Sequence, residues 1–502
     1  MNAVFWIPLL TLFSSFFTGV FIFFLREDQK VLRTILNMLG AIIKLIFTAI
    51  IFWGTIFAGI NYETRFTVIA DIELLLRVDL ISLMFVSLSA VLWLITTVYA
   101  IGYLERSPHR SRFFGFFSLC VTATMGVALA GNLFTFFIFY EMLTLATYPL
   151  VVHRGTRESL RAGRNYLLYT LSGGALFLAG IVWLESVAGT IEFQLGGVVA
   201  GAGIADGVLI SIFILMMAGL GVKAAIVPLH SWLPQAMVAP APVSALLHAV
   251  AVVKAGAYGI VRLVYEVYGI VFAAQLGILL PLAILAAITI IYGSLRALAQ
   301  DDLKRRLAYS TVSQLSYITL GVAILGPLAS IGALVHLVHQ GLMKITLFFC
   351  AGNFTETLGV KRIDELDGIG RRMPWSMTAF TIGAFGMIGV PPLAGFVSKW
   401  YLSLGGLEAG MYWVPLVFVT SSVLNAMYFL PIVYRGWFRP PREDVWKELI
   451  PRGPLETKWT LLAPAIATAI LSLFTGLFAG SWLSPLALAE LIVLEMYVEG
   501  RE

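Results

Sequence analysis

The chain has 502 residues, 59% of them hydrophobic and only 12% charged, where a soluble domain carries roughly 25% charged residues, so it reads as an integral membrane protein. Its formal charge of +5 is not accompanied by a phosphate-binding glycine loop or nucleotide fingerprint, so it does not point to nucleic acid or to nucleotide-driven transport. Cys120 and Cys350, the two cysteines, lie in apolar segments without metal-ligand spacing, which argues against a disulfide framework or a cysteine-held cluster.

Runs of about 20 apolar residues are long enough to cross a bilayer, and ten-residue alternation of the outer-membrane barrel kind is lacking. The expected fold class is therefore all-α integral membrane, with fourteen transmembrane helices at 4–25, 34–60, 80–104, 113–130, 133–152, 165–187, 208–229, 243–265, 270–295, 308–325, 329–352, 376–402, 411–434 and 459–479. No basic residue precedes the first span, which therefore reads as a retained helix and not as a cleaved signal peptide. Tight hairpins are expected at Gly131-Asn132 and Gly326-Pro327. Residues 61–78 and 185–207 are expected to form short interfacial structure. The segment 480–502 reads as an amphipathic tail in which Leu486, Leu488, Leu491 and Leu494 alternate with Glu490, Glu495 and Glu499.

Lys and Arg collect in alternate loops, as the positive-inside rule requires. The groups are Arg26 to Arg33, Arg106 to Arg112, Arg154 to Arg164, Arg296 to Arg306, Lys361 to Arg372 and Arg435 to Lys458. They hold 24 of the 33 basic residues, against Arg65, Arg77 and Arg501 in the other set of loops. This predicts a multi-pass protein of the cell membrane with both termini on the outer side.

Two spans look interrupted. In the seventh, Gly219-Leu220-Gly221 precedes Lys223 and Pro228 follows; in the twelfth, Gly389-Val390-Pro391-Pro392 and Gly395 precede Lys399. Broken helices at corresponding positions point to an inverted repeat. Spans four to eight and nine to thirteen then form two five-helix units, dividing the chain into 1–104, 105–268, 269–436 and 437–502.

Five lysines, Lys44, Lys223, Lys254, Lys344 and Lys399, sit inside apolar spans, while Glu141 is the one acid read at comparable depth. Ionisable groups at membrane depth are costly and mark ion or proton paths. Glu141 and Lys223 form the natural pair: at about 4 Å their attraction is on the order of 4 kcal/mol at an effective dielectric near 20. That is enough to govern whether the lysine keeps its proton; the bland alternative is a static ion pair. Lys254 has no deep acid to spare for it. His248 is about 9 Å from it along a regular helix and needs a water or a π-bulge to reach it, unless it is simply a packed histidine. His336, Gln340 and Lys344 fall on one stripe with His339 beside it, and Ser310, Thr311, Ser313, Gln314 and Tyr317 on the tenth span form the opposite wall. Lys399 is the candidate terminal site. Lys44 has no companion motif and reads as snorkelling or locally paired.

These residues resemble the antiporter-like subunits shared by respiratory complex I, Mrp-type sodium/proton antiporters and membrane-bound hydrogenases. The resemblance is carried by Gly221-Val-Lys223, Val227-Pro-Leu-His230-Ser-Trp232-Leu-Pro234, Ala241-Pro-Val-Ser244 through His248 and Lys254-Ala-Gly256. It continues in Asp302-Leu-Lys304-Arg305, Tyr140-Glu141 and Gly389-Val-Pro391-Pro392-Leu-Ala-Gly395-Phe396-Val-Ser-Lys399, so that it covers about residues 80 to 435. It implies fourteen helices with two inverted repeats and a proton route along the membrane midplane. In that route Glu141 and Lys223 are the coupling pair, Lys254 the central relay and Lys399 the distal relay. Gln340 stands where many relatives carry histidine, and Ser316 replaces a common glycine. The ending without a long lateral helix resembles the Mrp D-type and hydrogenase H-type proteins.

The expected function is thus that of a proton-translocating subunit of a larger complex, with protons as cargo, other membrane subunits and lipid as partners, sodium handled at most through a partner, and no cofactor in this chain. It is not expected to be an enzyme by itself. A sodium/proton exchanger acting alone is the alternative, weakened because hard cations prefer oxygen ligands and only one deep carboxylate is offered. A structural scaffold is the third.

Overall fold

The computed structural model describes residues 3–69, 72–105 and 107–499; Arg106 and Arg501, counted above among the loop basics, lie outside the described residues. Helices α1 (Ala3–Phe23) and α2 (Lys30–Ala58) pack side by side. In α2 the buried positions Arg33, Asn37, Gly40, Lys44, Thr48 and Ile51 recur every three or four residues, so one face turns inward while Ile35, Ile42, Ile46 and Ile50 face out. The interfacial structure expected at 61–78 is a hairpin in which β1 (Glu63–Ile69) pairs antiparallel with β2 (Ile72–Arg77). Asp79 then caps α3 (Leu80–Tyr103) through a reciprocal box with Ser82. Between α4 (Arg110–Leu129) and α5 (Leu133–Val151) the turn is as tight as expected, because the Asn132 side chain accepts from the Thr135 N–H and starts α5 at once.

α6 (Arg157–Ala188) leads to α7 (Asp206–Lys223), which ends at Lys223; residues 224–231 are non-helical before α8 (Trp232–Gln235). The interruption therefore falls wholly after Lys223, and Gly219 and Gly221 stay helical. Gly219 serves packing instead: a Cβ there would stand 2.6 Å from both the Gly173 carbonyl oxygen and Phe177 Cβ on α6. The eighth span is α9 (Ala241–Ala249) and α10 (Val252–Arg262), continued by a π-helical stretch, Leu263–Tyr268. The ninth begins later than expected, because Gly277 at φ +73 separates α11 (Ile270–Gln275) from α12 (Leu279–Leu298).

α13 (Leu303–Val322) and α14 (Pro327–Leu358) follow, then α15 (Ile369–Arg372) and α16 (Pro374–Ile388). Residues 389–393, holding Pro391 and Pro392, break the twelfth span before α17 (Ala394–Glu408). α18 (Trp413–Phe438), α19 (Trp459–Leu477) and α20 (Pro485–Glu499) complete the chain. Twelve helices among the described residues are long and apolar enough to cross a membrane. The other two expected spans fall short for physical reasons. α13 is polar because Ser310, Thr311, Ser313 and Gln314 are buried in protein and need not face lipid, and 376–402 is cut into the 15-residue α16 and α17.

α14 is buried on every side between α3, α9, α13, α16, α17, α19 and α20, the mark of a core helix. α20 lies against α14 and α3; its inward face is Leu486, Ala489, Ile492, Val493 and Met496, while Leu491 and Leu494 of the amphipathic tail point outward.

A buried chain of amines at the membrane core

The first pair is close. Glu141 on α5 and Lys223 at the end of α7 stand 3.7 Å apart, Oε1 to Nζ, with the lysine side chain fully buried and the carboxylate 19% exposed. Lys223 also donates to the Tyr140 carbonyl and lies over the Tyr140 ring. Its place in the last turn of α7 suits the negative end of the helix dipole. Gly174 on α6 makes room for the acid, since a Cβ there would meet the Glu141 carboxylate.

Breaking α7 frees backbone groups, which in a bilayer must find protein or water partners. They find protein: Ile226 N–H bonds the Gly221 carbonyl, the Trp232 indole bonds the Val222 carbonyl at 2.8 Å, and Val227 N–H bonds Thr289 Oγ1 at 3.2 Å. Ala225 sits at φ +55, a left-handed conformation costing a non-glycine residue roughly 1–2 kcal/mol. Against this break presses α10. At Gly256 a Cβ would stand 2.6 Å from the Lys223 carbonyl carbon, so the helix bearing Lys254 touches the backbone that bears Lys223.

Lys254 Nζ donates to the Leu337 carbonyl on α14 at 2.5 Å, beside His336. His336 Nδ1 is 2.8 Å from Ser398 Oγ, and its ring stacks on Tyr317 at 5.0 Å. Lys399 follows Ser398; its Nζ donates to the Met387 and Ile388 carbonyls at 3.0 and 2.8 Å and to Ser422 Oγ at 2.9 Å, and lies 5.5 Å from the Tyr317 ring. The carbonyls it holds are those the break leaves without helical partners at the end of α16.

Lys344 lies two helical turns from His336, bonded to Ser310 Oγ and the Leu307 carbonyl on α13. His248 stacks on Phe348 at 4.6 Å. His339 is buried one position off the stripe. Between His248 and Lys254 the helix slips at Val250–Ala251, where the Ala251 N–H reaches back five residues to Leu246 in a π-type step. Spatial order thus differs from chain order. Lys254 meets α14 at Leu337, next to His336, and His336 meets Ser398 next to Lys399, while Lys344 and His248 lie nearer the arginine-rich end. Both His248 ring nitrogens and the side-chain amide of Gln340 are buried without a protein partner among the described residues. Such groups are normally satisfied by ordered water.

Two features escaped the reading of the sequence. Arg262, fully buried, holds Asp79 at 2.7 Å and Glu266 at 2.5 Å near the end of the eighth span, against the loop that carries Phe193 and Gln194; the i, i+4 spacing of Arg262 and Glu266 was the available signal. Arg65 and Arg77 join Glu63, Glu73 and Glu192 into a network at the end of the bundle away from the arginine-rich loops. Burial raises the Glu192 carboxyl, but hydrogen bonds from Arg65 and Arg77 outweigh it and hold it below its ordinary value. Of the two readings of Lys44, snorkelling and local pairing, the second agrees with its place: it is fully buried and bonds Ser15 Oγ at 2.6 Å.

A bundle of membrane helices crossed by buried amines and interrupted beside two of them defines a polytopic protein of the ion-translocating class. The chain belongs to the family described as NADH:quinone oxidoreductase/Mrp antiporter, which matches residues 130–425, and residues 67–114 match the N-terminal family of chain 5 of NADH-ubiquinone oxidoreductase (complex I). It is 37% identical to NADH-quinone oxidoreductase subunit N of Desulforudis audaxviator, over 76% of this chain and 77% of that one. It is 29% identical to the D-type protein of the Na(+)/H(+) antiporter of Bacillus subtilis, over 89% and 91%. Its fold superposes on a chain of the Mrp complex from Dietzia sp. DQ12-45-1b with a TM-score of 0.86 at 23% identity, covering 100% of this chain and 99% of that one.

Proposed function

We propose that this chain moves protons through the membrane core, from the Glu141–Lys223 pair by way of Lys254 and His336 to Lys399, as one membrane subunit of a larger ion-translocating complex. The observation that carries this reading is the hydrogen bond from Lys254 to the Leu337 carbonyl beside His336, which joins the first set of helices to the second. Lys344, His339 and His248 belong to a branch from the arginine-rich face. Buried amines held on neutral oxygens exchange protons and repel sodium, which favours protons as cargo. Sister subunits like those of the relatives supply the driving force, and any redox cofactor sits on them, so that this chain is not an enzyme by itself. The arginine-rich face is taken as cytoplasmic and the membrane as the cell membrane. The division into 1–104, 105–268, 269–436 and 437–502, with the middle parts as inverted repeats, belongs to the same proposal.

Replacing Lys254 with Met in the assembled complex tests it. Proton uptake by vesicles is expected to fall by about tenfold or more with normal assembly, because a step made only through the amine is removed. Parental uptake in K254M would sink the proposal.

A further inference from the structure

Lys44 lies outside the path just described, on α2. Its surroundings match those of the amines in that path: Nζ donates to Ser15 Oγ of α1 at 2.6 Å, as Lys254, Lys344 and Lys399 donate to neutral oxygens. Thr122 of α4 donates to the same Ser15 Oγ at 2.9 Å, and from α3 the Trp93 ring faces the amine, centroid 4.7 Å away. Serine, threonine and indole are thus the groups that α1, α3 and α4 present, and among the described residues no carboxylate or histidine is paired with it. A buried ammonium held by neutral groups alone is costly, and replacement by an apolar residue of like size commonly relieves such a cost.

Polar side chains lie between this site and the arginine-rich face. Along the inward face of α2 run Thr48, Lys44, Asn37 and Arg33, and the last two are about 16 Å or less from Lys44 along the axis. Thr48 Oγ1, Asn37 Oδ1 and Ser118 Oγ are buried without a protein partner among the described residues. Arg33 bonds Ser111 at 2.6 Å and borders a cavity of about 530 Å³ lined also by Lys30, Arg110, Lys458 and Trp459.

We propose that Lys44 is a second proton-binding station, filled from the arginine-rich face along the Arg33–Asn37 seam and separate from the Glu141–Lys399 path. In its discharge an ammonium N–H bond breaks, an O–H bond forms on an adjacent water, and a neutral amine remains on Ser15.

The test uses the full complex carrying K44M or K44R, with W93F to isolate the emission of Trp93. In the parent complex Trp93 emission is expected to change with pH as the charge beside its ring comes and goes. K44M and K44R are both expected to abolish that change, and each to lower proton uptake by about threefold or more, because arginine keeps the charge and the donors but does not release a proton. Parental uptake in K44R, or Trp93 emission that does not respond to pH in the parent, overturns the proposal and leaves a fixed structural cation. Should K44M not assemble, K44R and the parental titration still decide. K254M serves as the control: it stops the main path without altering the Trp93 response, so failure of one reading is told from failure of the other.

Discussion

At the scale of single residues, the site depends on glycines as much as on ionisable groups. Gly174 holds no charge, yet a side chain there would meet the Glu141 carboxylate. Gly174→Ala is therefore expected to push the carboxylate away from Lys223 and leave the helices in place, because the atoms that must move are the far end of a flexible chain. A shift of about 1 Å weakens the pair by about 1 kcal/mol at an effective dielectric near 20, roughly a fivefold effect. Slower proton uptake in a normally assembled complex checks this; uptake at the parental rate would show that the pair tolerates the displacement. Glu141, Lys223, Lys254 and Lys399 were legible in the sequence because charge in an apolar run is conspicuous. Ser398 and Gly174 were not, since small neutral residues acquire a role only when another helix is laid against them.

At the scale of elements, both helix interruptions fall at or shortly before proline. Pro391 and Pro392 cannot continue α16, and the break falls on them. The end of α7 at Lys223 lies shortly before Pro228, where the sequence placed a break, and there α10 packs against it at Gly256, an approach no local pattern announces. Short connections carry their own electrostatics. His153, in the turn after α5, lies among Phe113, Ser107 and the Arg112 side chain, and burial, with Arg112 and His109 nearby, pushes its imidazole down to about 4. The unfolded chain takes up a proton near its ordinary value of about 6.5 while the folded chain does not. This residue's contribution is thus fully present above about 6.5 and is lost as pH falls toward 4. Thermal unfolding of the purified complex should show a fall in midpoint across that window, and His153→Asn should flatten it; an unchanged slope in the variant would remove His153 as its source.

At the scale of the whole molecule, α20 closes the bundle over the start of α14. The Gly326 N–H donates to Tyr497 Oη at 2.9 Å, while Ile492, Val493 and Met496 turn inward. Tyr497→Phe should lower stability by about 1 kcal/mol, the net worth of one such bond. Removing the chain from Pro485 onward should lower the unfolding midpoint further, and equal midpoints for the two variants would show that packing by α20 adds nothing. The tail was legible as an amphipathic segment but its inward face was not, because spacing alone does not say which side of a short helix meets protein and which meets lipid.

Uninterrupted α14 has 32 residues, about 48 Å of helix, against a hydrocarbon layer of about 30 Å. Its last turns, at Gly352 and Thr355, line an aqueous-side cavity with Arg154, Lys304 and Lys361, while its middle carries His336, Gln340 and Lys344. Neighbouring elements are jointed at 224–231, at Val250–Ala251 and at 389–393; α14 is not. Between the basic-lined cavity at its last turns and His336 and Lys344 it therefore has no joint that could absorb a displacement.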